Sequence, residues 1–232
     1  MIFQKIRYSK YFFGILFKNW FESLPSYAQH GEDLLIEKLL LKVNSFIDIG
    51  ANNGVLFSNT FKFAKNGSIG LCLEPSKTCF RKLRLNHLFH HKVKCLNSAV
   101  SYKKGTLFIE EDGYESVLSN VSENPTPKSY LTSTTTLEDL ILRFPDFKSC
   151  DLVSIDVEGH EEAVLDGAGN SLMLVKIIIL EVDKTNMDKI LQKPALSNHD
   201  PAFSNGINLI LLNKNFEFPK EKQLPSGFLH VK

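Results

Sequence analysis

No two cysteines of this sequence form a C-x-x-C pair; Cys72, Cys79, Cys95 and Cys150 are scattered, two of them inside apolar strand patterns. Paired-thiol motifs are therefore absent, and reduced core thiols in a cytosolic compartment are the expectation. Excess charge of either sign is lacking too. A net charge of +1 and a pI near 7.7 leave no electrostatic footprint for nucleic acid. Nor is there a long apolar run: Tyr11 to Phe17 is far too short to span a bilayer. No small-residue cleavage site follows it, so a signal peptide is not expected. Internal repeats are absent. At 232 residues the chain suffices for one α/β domain with a full core. Its eighteen Phe residues suggest that this core is rich in aromatic rings.

The first 21 residues are unlike the rest. Lys5, Arg7, Lys10 and Lys18 occur there with no acid, among Phe3, Ile6, Phe12, Phe13, Ile15, Leu16, Phe17, Trp20 and Phe21. Residues 1–26 read as a basic, aromatic arm ahead of a domain over 27–232. Such an amphipathic arm suits the anionic inner face of a membrane. Packing of the arm on its own domain is the alternative and ranks first.

The chain then alternates strands and helices. A helix with Leu35, Ile36, Leu39, Leu40 and Val43 on one face precedes a strand at Ser45–Ile49. A helix over Leu56–Lys65, with Phe57, Phe61 and Ala64 inward, precedes a strand ending at Glu74. Further strands are expected at Val93–Leu96, Thr106–Glu110, Asp151–Ile155 and Val175–Leu180, with Leu209–Leu212 and Phe228–Val231 in the tail. Asp112 to Tyr130, with Asn124-Pro125-Thr126-Pro127, reads as a surface loop or lid. The tail before Leu209 reads as a helix near Met187–Leu191 followed by a polar loop. Alternation of this kind makes a doubly wound α/β sheet.

One stretch carries most of the information: Asp48-Ile49-Gly50-Ala51-Asn52-Asn53-Gly54, directly after the first strand. A second strand ends in Glu74, twenty residues beyond Gly54. Glycines permit a sharp turn and close backbone approach, and the later acid can accept both ribose hydroxyls, so a nucleoside cofactor is expected. A dinucleotide fingerprint wants G-x-G-x-x-G, with its middle glycine clearing space for a pyrophosphate. Asn52 fills that place, and nothing in the turn favours a doubly charged phosphate. S-adenosylmethionine (SAM), an adenosine without phosphate, fits better. A nicotinamide oxidoreductase and a non-catalytic nucleoside-binding module remain as alternatives.

Ligands of open α/β sheets lie beyond the carboxyl ends of the strands. Asp48, Glu74, Asn97, Asp156, Glu158 and Glu181 all fall at or just after such ends. A core does not tolerate unpaired carboxylates, so their joint placement is a site signature. Asp156 and Glu158 are two apart, and an extended strand end would point both to one side. An amine methylase of nucleic acid should carry Asn/Asp-Pro-Pro-aromatic after the fourth strand. This chain has Asp156-Val157-Glu158-Gly159-His160-Glu161 there.

Six motifs in register resemble the FkbM-type SAM-dependent methyltransferases: Tyr27…Gln29-x-Gly31-Glu32-Asp33, Asp48 to Gly54, Leu73-Glu74-Pro75, Asn97-Ser98-Ala99-Val100, Thr136-Leu137 and Ile155 to Glu161. Order and spacing agree from Tyr27 to about Val182. Ala28 stands where the family more often has Ser, and beyond Asp183, the segment that usually shapes the acceptor pocket, the similarity fades. The resemblance implies a class I methyltransferase fold, a seven-stranded sheet with the last strand antiparallel. It implies methyl transfer to an oxygen, often the hydroxyl of a sugar, glycan or natural product. Carried over by position, Gly50, Asn52 and Gly54 line the methionine end, Glu74 the ribose, and Asn97, Ser98 and Ala99 the adenine side. Gln29 and Asp33 would close over cofactor or acceptor. His160 is the natural base by its ordinary pKa, with Asp156 or Glu158 orienting it or acting directly, and Glu181 beside them. Asp156, Glu158 and Glu181 could instead hold a divalent cation. The metal-free reading ranks first, since no second His or Asp-Asn pair follows the fifth strand.

Overall fold

A computed structural model describes residues 14–111, 119–122, 124, 126–182, 186–220 and 223–231. Its main sheet has eight strands. Four form a parallel centre: β1 (Ser45–Ile49), β2 (Ile69–Leu73), β8 (Leu152–Ile155) and β9 (Ile177–Glu181), with β3 (Val93–Leu96) parallel at one edge. β11 (Asn208–Asn213) lies antiparallel to β9 and pairs with β10 (His199–Ser204), beyond which β12 (Leu229–His230) forms the other edge. The order is β3-β2-β1-β8-β9-β11-β10-β12.

This is the doubly wound methyltransferase sheet with its antiparallel late strand, extended by the two-residue β12. β10 takes the place of the expected polar loop. His199-Asp200-Pro201 lacks an apolar alternation, so nothing in its composition signals pairing; β11 supplies the partner.

The central strands alternate strictly between two cores. Ile47, Ile49, Val153, Ile155, Ile178 and Leu180 face one side. Phe46, Cys72, Leu152, Ile177 and Ile179 face the other. Helices cover both sides: α5 (Leu137–Arg143) and α6 (Glu161–Asp166) on the first, α2 (Glu32–Leu39), α3 (Phe61–Lys65) and α4 (Lys77–Asn86) on the second. Local chemistry sets the helix starts. Ser76 Oγ accepts from Cys79 N–H at 3.1 Å to cap α4, and Thr136 Oγ1 accepts from Asp139 N–H at 3.0 Å to cap α5. A short helix α7 (Met187–Leu191) follows β9.

α3 begins at Phe61, five residues later than the sequence suggests. Phe57 is left-handed (φ 59) and half exposed. Ser58 Oγ instead accepts from the N–H groups of Thr60 and Phe61, a small-residue turn that starts the helix late. Thr106–Glu110 forms the expected strand as β5 (Gly105–Glu111), but it belongs to a second sheet that was not expected, with β4 (Ala99–Val100), β7 (Tyr130–Thr135) and β6 (Ser119–Ser122). Ser119–Ser122 is therefore a strand within the segment read as a loop. Residues 112–118, 123 and 125 of that segment lie outside the described residues, as does 1–13 of the arm. Among the described residues no helix is long and apolar enough to cross a membrane.

Helical residues 14–21, α1, lie against α4. Trp20 Nε1 donates to Leu85 O at 2.9 Å, Asn19 Nδ2 to Asn86 Oδ1 at 2.9 Å, and Lys65 Nζ to the carbonyl of Asn19 at 2.8 Å.

Candidate active site

The site begins with backbone geometry at the end of β1. The N–H groups of Gly50 and Ala51 both donate to Leu73 O at 3.0 Å, and Asp156 N–H donates to Ile49 O at 3.0 Å. Three strand ends are thereby drawn together. Gly50 sits at φ 87, and a Cβ there would lie 1.7 Å from the carbonyl oxygen of Asp156. Glycine is required because the β8 backbone occupies its side-chain space. Asn52 follows in the left-handed region (φ 49), which asparagine tolerates better than most residues.

Glu74 holds this turn. Its Oε2 accepts from Asn52 N–H at 2.8 Å and its Oε1 from Ser76 N–H at 2.7 Å. The acid at the end of β2 thus ties the glycine turn to the start of α4 while lining the cleft. Asp48 lies beneath. It is buried, with Oδ2 accepting from Thr60 Oγ1 at 2.6 Å, and burial raises its pKa to about 6 despite that bond.

These residues open into one cleft at the carboxyl ends of the parallel strands. Gln29, Asp48, Gly50, Asn52, Glu74, Ser98, Ala99, Asp156, Glu158, His160 and Glu181 line it, so topology gathers nearly every candidate. Gly54 and Asn97 are not in its wall. A Cβ on Gly54 would meet Leu83 Cδ1 at 2.5 Å, so this glycine serves the packing of α4. Asn97 Nδ2 donates to the carbonyls of Glu74 and Pro75 at 2.8 and 2.9 Å, fastening β3 to β2. Asp33 is also outside: its carboxylate accepts from Ser26 Oγ at 2.6 Å and Tyr27 N–H at 2.8 Å. Glu32 accepts from His30 N–H and from the side chains of Asn205 and Asn208. The two acids pin the loop from which Gln29 reaches the cleft, and a bridge from Ala28 to Phe57 extends that strap across it.

The opposite wall is acidic. Asp156 and Glu181 both line it, at the ends of neighbouring strands. Desolvation raises Asp156 to about 6, the neighbouring Glu181 carboxyl opposing and the charge of Glu158 adding. Desolvation, then the charge of Asp156, raises Glu181 to about 8. Glu158 rises to about 7 through desolvation and the charges of Glu181 and Glu161. Asp156 and Glu158 do not meet by strand alternation. β8 ends at Ile155, and the chain turns through left-handed Glu158 (φ 54) and Gly159 (φ 95). Buried Glu161 holds the turn, its Oε1 accepting from Val157 N–H at 3.2 Å and Gly159 N–H at 3.0 Å. His160 Nε2 lies 3.0 Å from Ser101 Oγ, which tethers the ring towards the end of β4. Among the described residues no three of His, Cys, Asp or Glu are disposed to hold a metal. A second cleft continues from Glu158 and Glu181 towards Val182, Asn186, Gly206 and Ile207.

Sequence reading missed Phe57, Ser58 and Asn59 in the wall and Thr60 and Ser101 behind it. The run Ser58-Asn59-Thr60 before Phe61 is itself a helix-start signal that would have placed these residues outside the helix.

The lining fits SAM. Apolar Ile49, Leu73, Pro75 and Val100 alternate with carboxylates, and among the described residues no Lys or Arg faces the cleft. That donor set suits a sulfonium cation and an adenosine, and offers no partner to a pyrophosphate.

Comparison with known proteins agrees. The model of the methyltransferase FkbM domain matches residues 48–218, past the point where the sequence motifs fade. Among solved structures, methyltransferase FkbM from Methylobacillus flagellatus KT superposes with a TM-score of 0.50 at 12% identity, over 73% of this chain and 43% of that one. A putative caffeoyl-CoA O-methyltransferase from Staphylococcus aureus gives 0.46 at 13% identity, over 82% and 86% of the two chains. At 12% identity the first likeness speaks to the fold alone, and nothing is argued from the second. No curated protein matches the sequence. With the family model covering most of the chain, this protein belongs to the FkbM methyltransferase family, whose fold and membership imply the use of SAM.

Proposed function

We propose that this protein transfers the methyl group of SAM to a hydroxyl of a sugar, glycan or similar small molecule, with Glu158 as the base. SAM supplies an electrophilic methyl on sulfur, so the chain has two tasks: to align the acceptor oxygen and to take its proton. Alignment supplies about 7–11 kcal/mol of a barrier where the geometry is near attack. A positioned base adds typically about 10²–10⁴-fold and works best with a pKa near the operating pH.

The carrying observation is Glu158, raised to about 7 and shared by the walls of both clefts. It stands where an acceptor entering by the second cleft would meet the first. Asp156 and Glu181 beside it are themselves raised, to about 6 and about 8, so Glu158 does not face two full charges near neutrality. His160, tethered to Ser101, lines the same cleft as a secondary candidate.

The test is transfer of labelled methyl from SAM to a panel of sugars and glycans, with amines of matched size as controls. Label on hydroxyl acceptors, lost in Glu158→Gln, is expected. Label confined to amines would overturn the reading.

A further inference from the structure

Opposite in character to the acidic cleft is the face built by α1 and the end of α4. Phe17 and Phe21 are 61% and 62% exposed, Leu88 and Phe89 52% and 51%. These side chains form one patch. The rings of Phe17 and Phe21 lie 4.7 Å apart, those of Phe21 and Phe89 6.0 Å, and Trp20 stands edge-on to Phe89 at 4.9 Å. Trp20 is fixed by its bond to Leu85 O, so the patch is a built surface rather than a loose end. Apolar surface of this kind, gathered in one place, marks an interaction site.

Its surroundings are cationic. Between Glu74 and Glu110 the sequence contains no acid, while α4 carries Arg81, Lys82 and Arg84, with Lys92 beyond; Lys77 and Lys94 turn away, over the rings of Tyr130 and Phe144. Arg81, Arg84 and Lys92 are exposed. Glu22, the first acid in the chain, is paired with Lys18 at 3.8 Å. In a chain of net charge +1 the acids are concentrated elsewhere, six of them at the cleft or directly behind it.

We infer that this face docks on an anionic lipid bilayer, with Phe17, Phe21, Leu88 and Phe89 entering the headgroup boundary and the cations of α4 facing anionic lipid. Exposed rings with aliphatic neighbours and a cationic surround are what such an interface selects. None of the four apolar residues lines either cleft, so docking leaves the cofactor site open.

The experiment is co-sedimentation of the full chain with phosphatidylcholine vesicles, with and without roughly a third phosphatidylserine. The comparison variant is Phe17→Ser/Phe21→Ser/Phe89→Ser, checked for folding by circular dichroism. Arg81→Gln/Arg84→Gln serves as a second variant that keeps the apolar surface. Binding is expected only with phosphatidylserine, falling at least about tenfold in each variant, with SAM affinity unchanged. Equal sedimentation of wild type and the arginine variant would overturn the inference. So would absence of vesicle binding, whether accompanied by a dimer that the phenylalanine variant abolishes or by capture of duplex DNA or RNA.

Discussion

Asp156 and Glu181, at the ends of the neighbouring parallel strands β8 and β9, both line one cleft, and the charge of Asp156 helps to raise Glu181. Desolvation raises both, to about 6 and about 8, so the pair retains protons towards neutrality. Asp48 below and Glu158 beside it are also raised. The whole acidic wall therefore holds protons at pH values where free carboxylates have lost them.

That sets the sign of the pH dependence. With folded pKa values above the unfolded ones, the stabilising protons are fully in place below the ordinary carboxylate range. Their contribution is lost as pH rises through about 6 to 8. The cofactor-free protein should thus become less stable across that window. Urea midpoints measured at several pH values in wild type and Glu181→Gln check this; equal slopes would remove the pair as the cause.

SAM binding should release protons. A cation beside these carboxyls favours their ionised forms, so affinity should rise as pH increases from about 6 to 8. Calorimetry in buffers of different ionisation enthalpy reads the proton count directly, and buffer-independent heats would contradict the expectation.

Glu158→Gln should leave SAM affinity nearly unchanged while turnover falls at least ~10²-fold. His160→Ala should cost less, since Ser101 holds that ring to the β4 side. The reverse order in single-turnover assays would pass the role of base to His160.

Glu74→Ala removes an acceptor for two backbone N–H groups as well as the expected ribose contact. Each charge-assisted bond contributes about 1.5–3 kcal/mol, so both SAM affinity and thermal stability should fall. Affinity falling alone would mean that the turn holds without Glu74.

Gly50→Ala places a Cβ against the Asp156 carbonyl at a positive φ. It should destabilise the fold by more than about 3 kcal/mol, a misfit of backbone against backbone. Normal unfolding with lost SAM binding would instead make Gly50 a matter of ligand access, as the sequence alone suggested.

The parallel centre, β1, β2, β8 and β9, was legible because each strand is an apolar run bounded by turn residues. β10 and β6 were not. Their residues pair for want of a better partner once β11 and β5 lie alongside, a decision made by the sheet. The candidate site was legible in its membership, since strand ends are where a doubly wound sheet places its ligand. The roles of its members were less so. Asn97, Gly54 and Asp33 lie near the site in sequence, yet their contacts are to backbone, helix and loop.

Sequence by itself determined the family and the gathering of acids at one end of the sheet, because strand periodicity and the Asp48–Gly54 turn are local properties of the chain. Only the tertiary structure decided which carboxyls are raised by burial and neighbours, that Glu158 meets the second cleft through a left-handed turn, and that Gly50 answers to Asp156. Those depend on distances between residues far apart in sequence, and a pKa or a steric limit exists only once desolvation and neighbours are fixed.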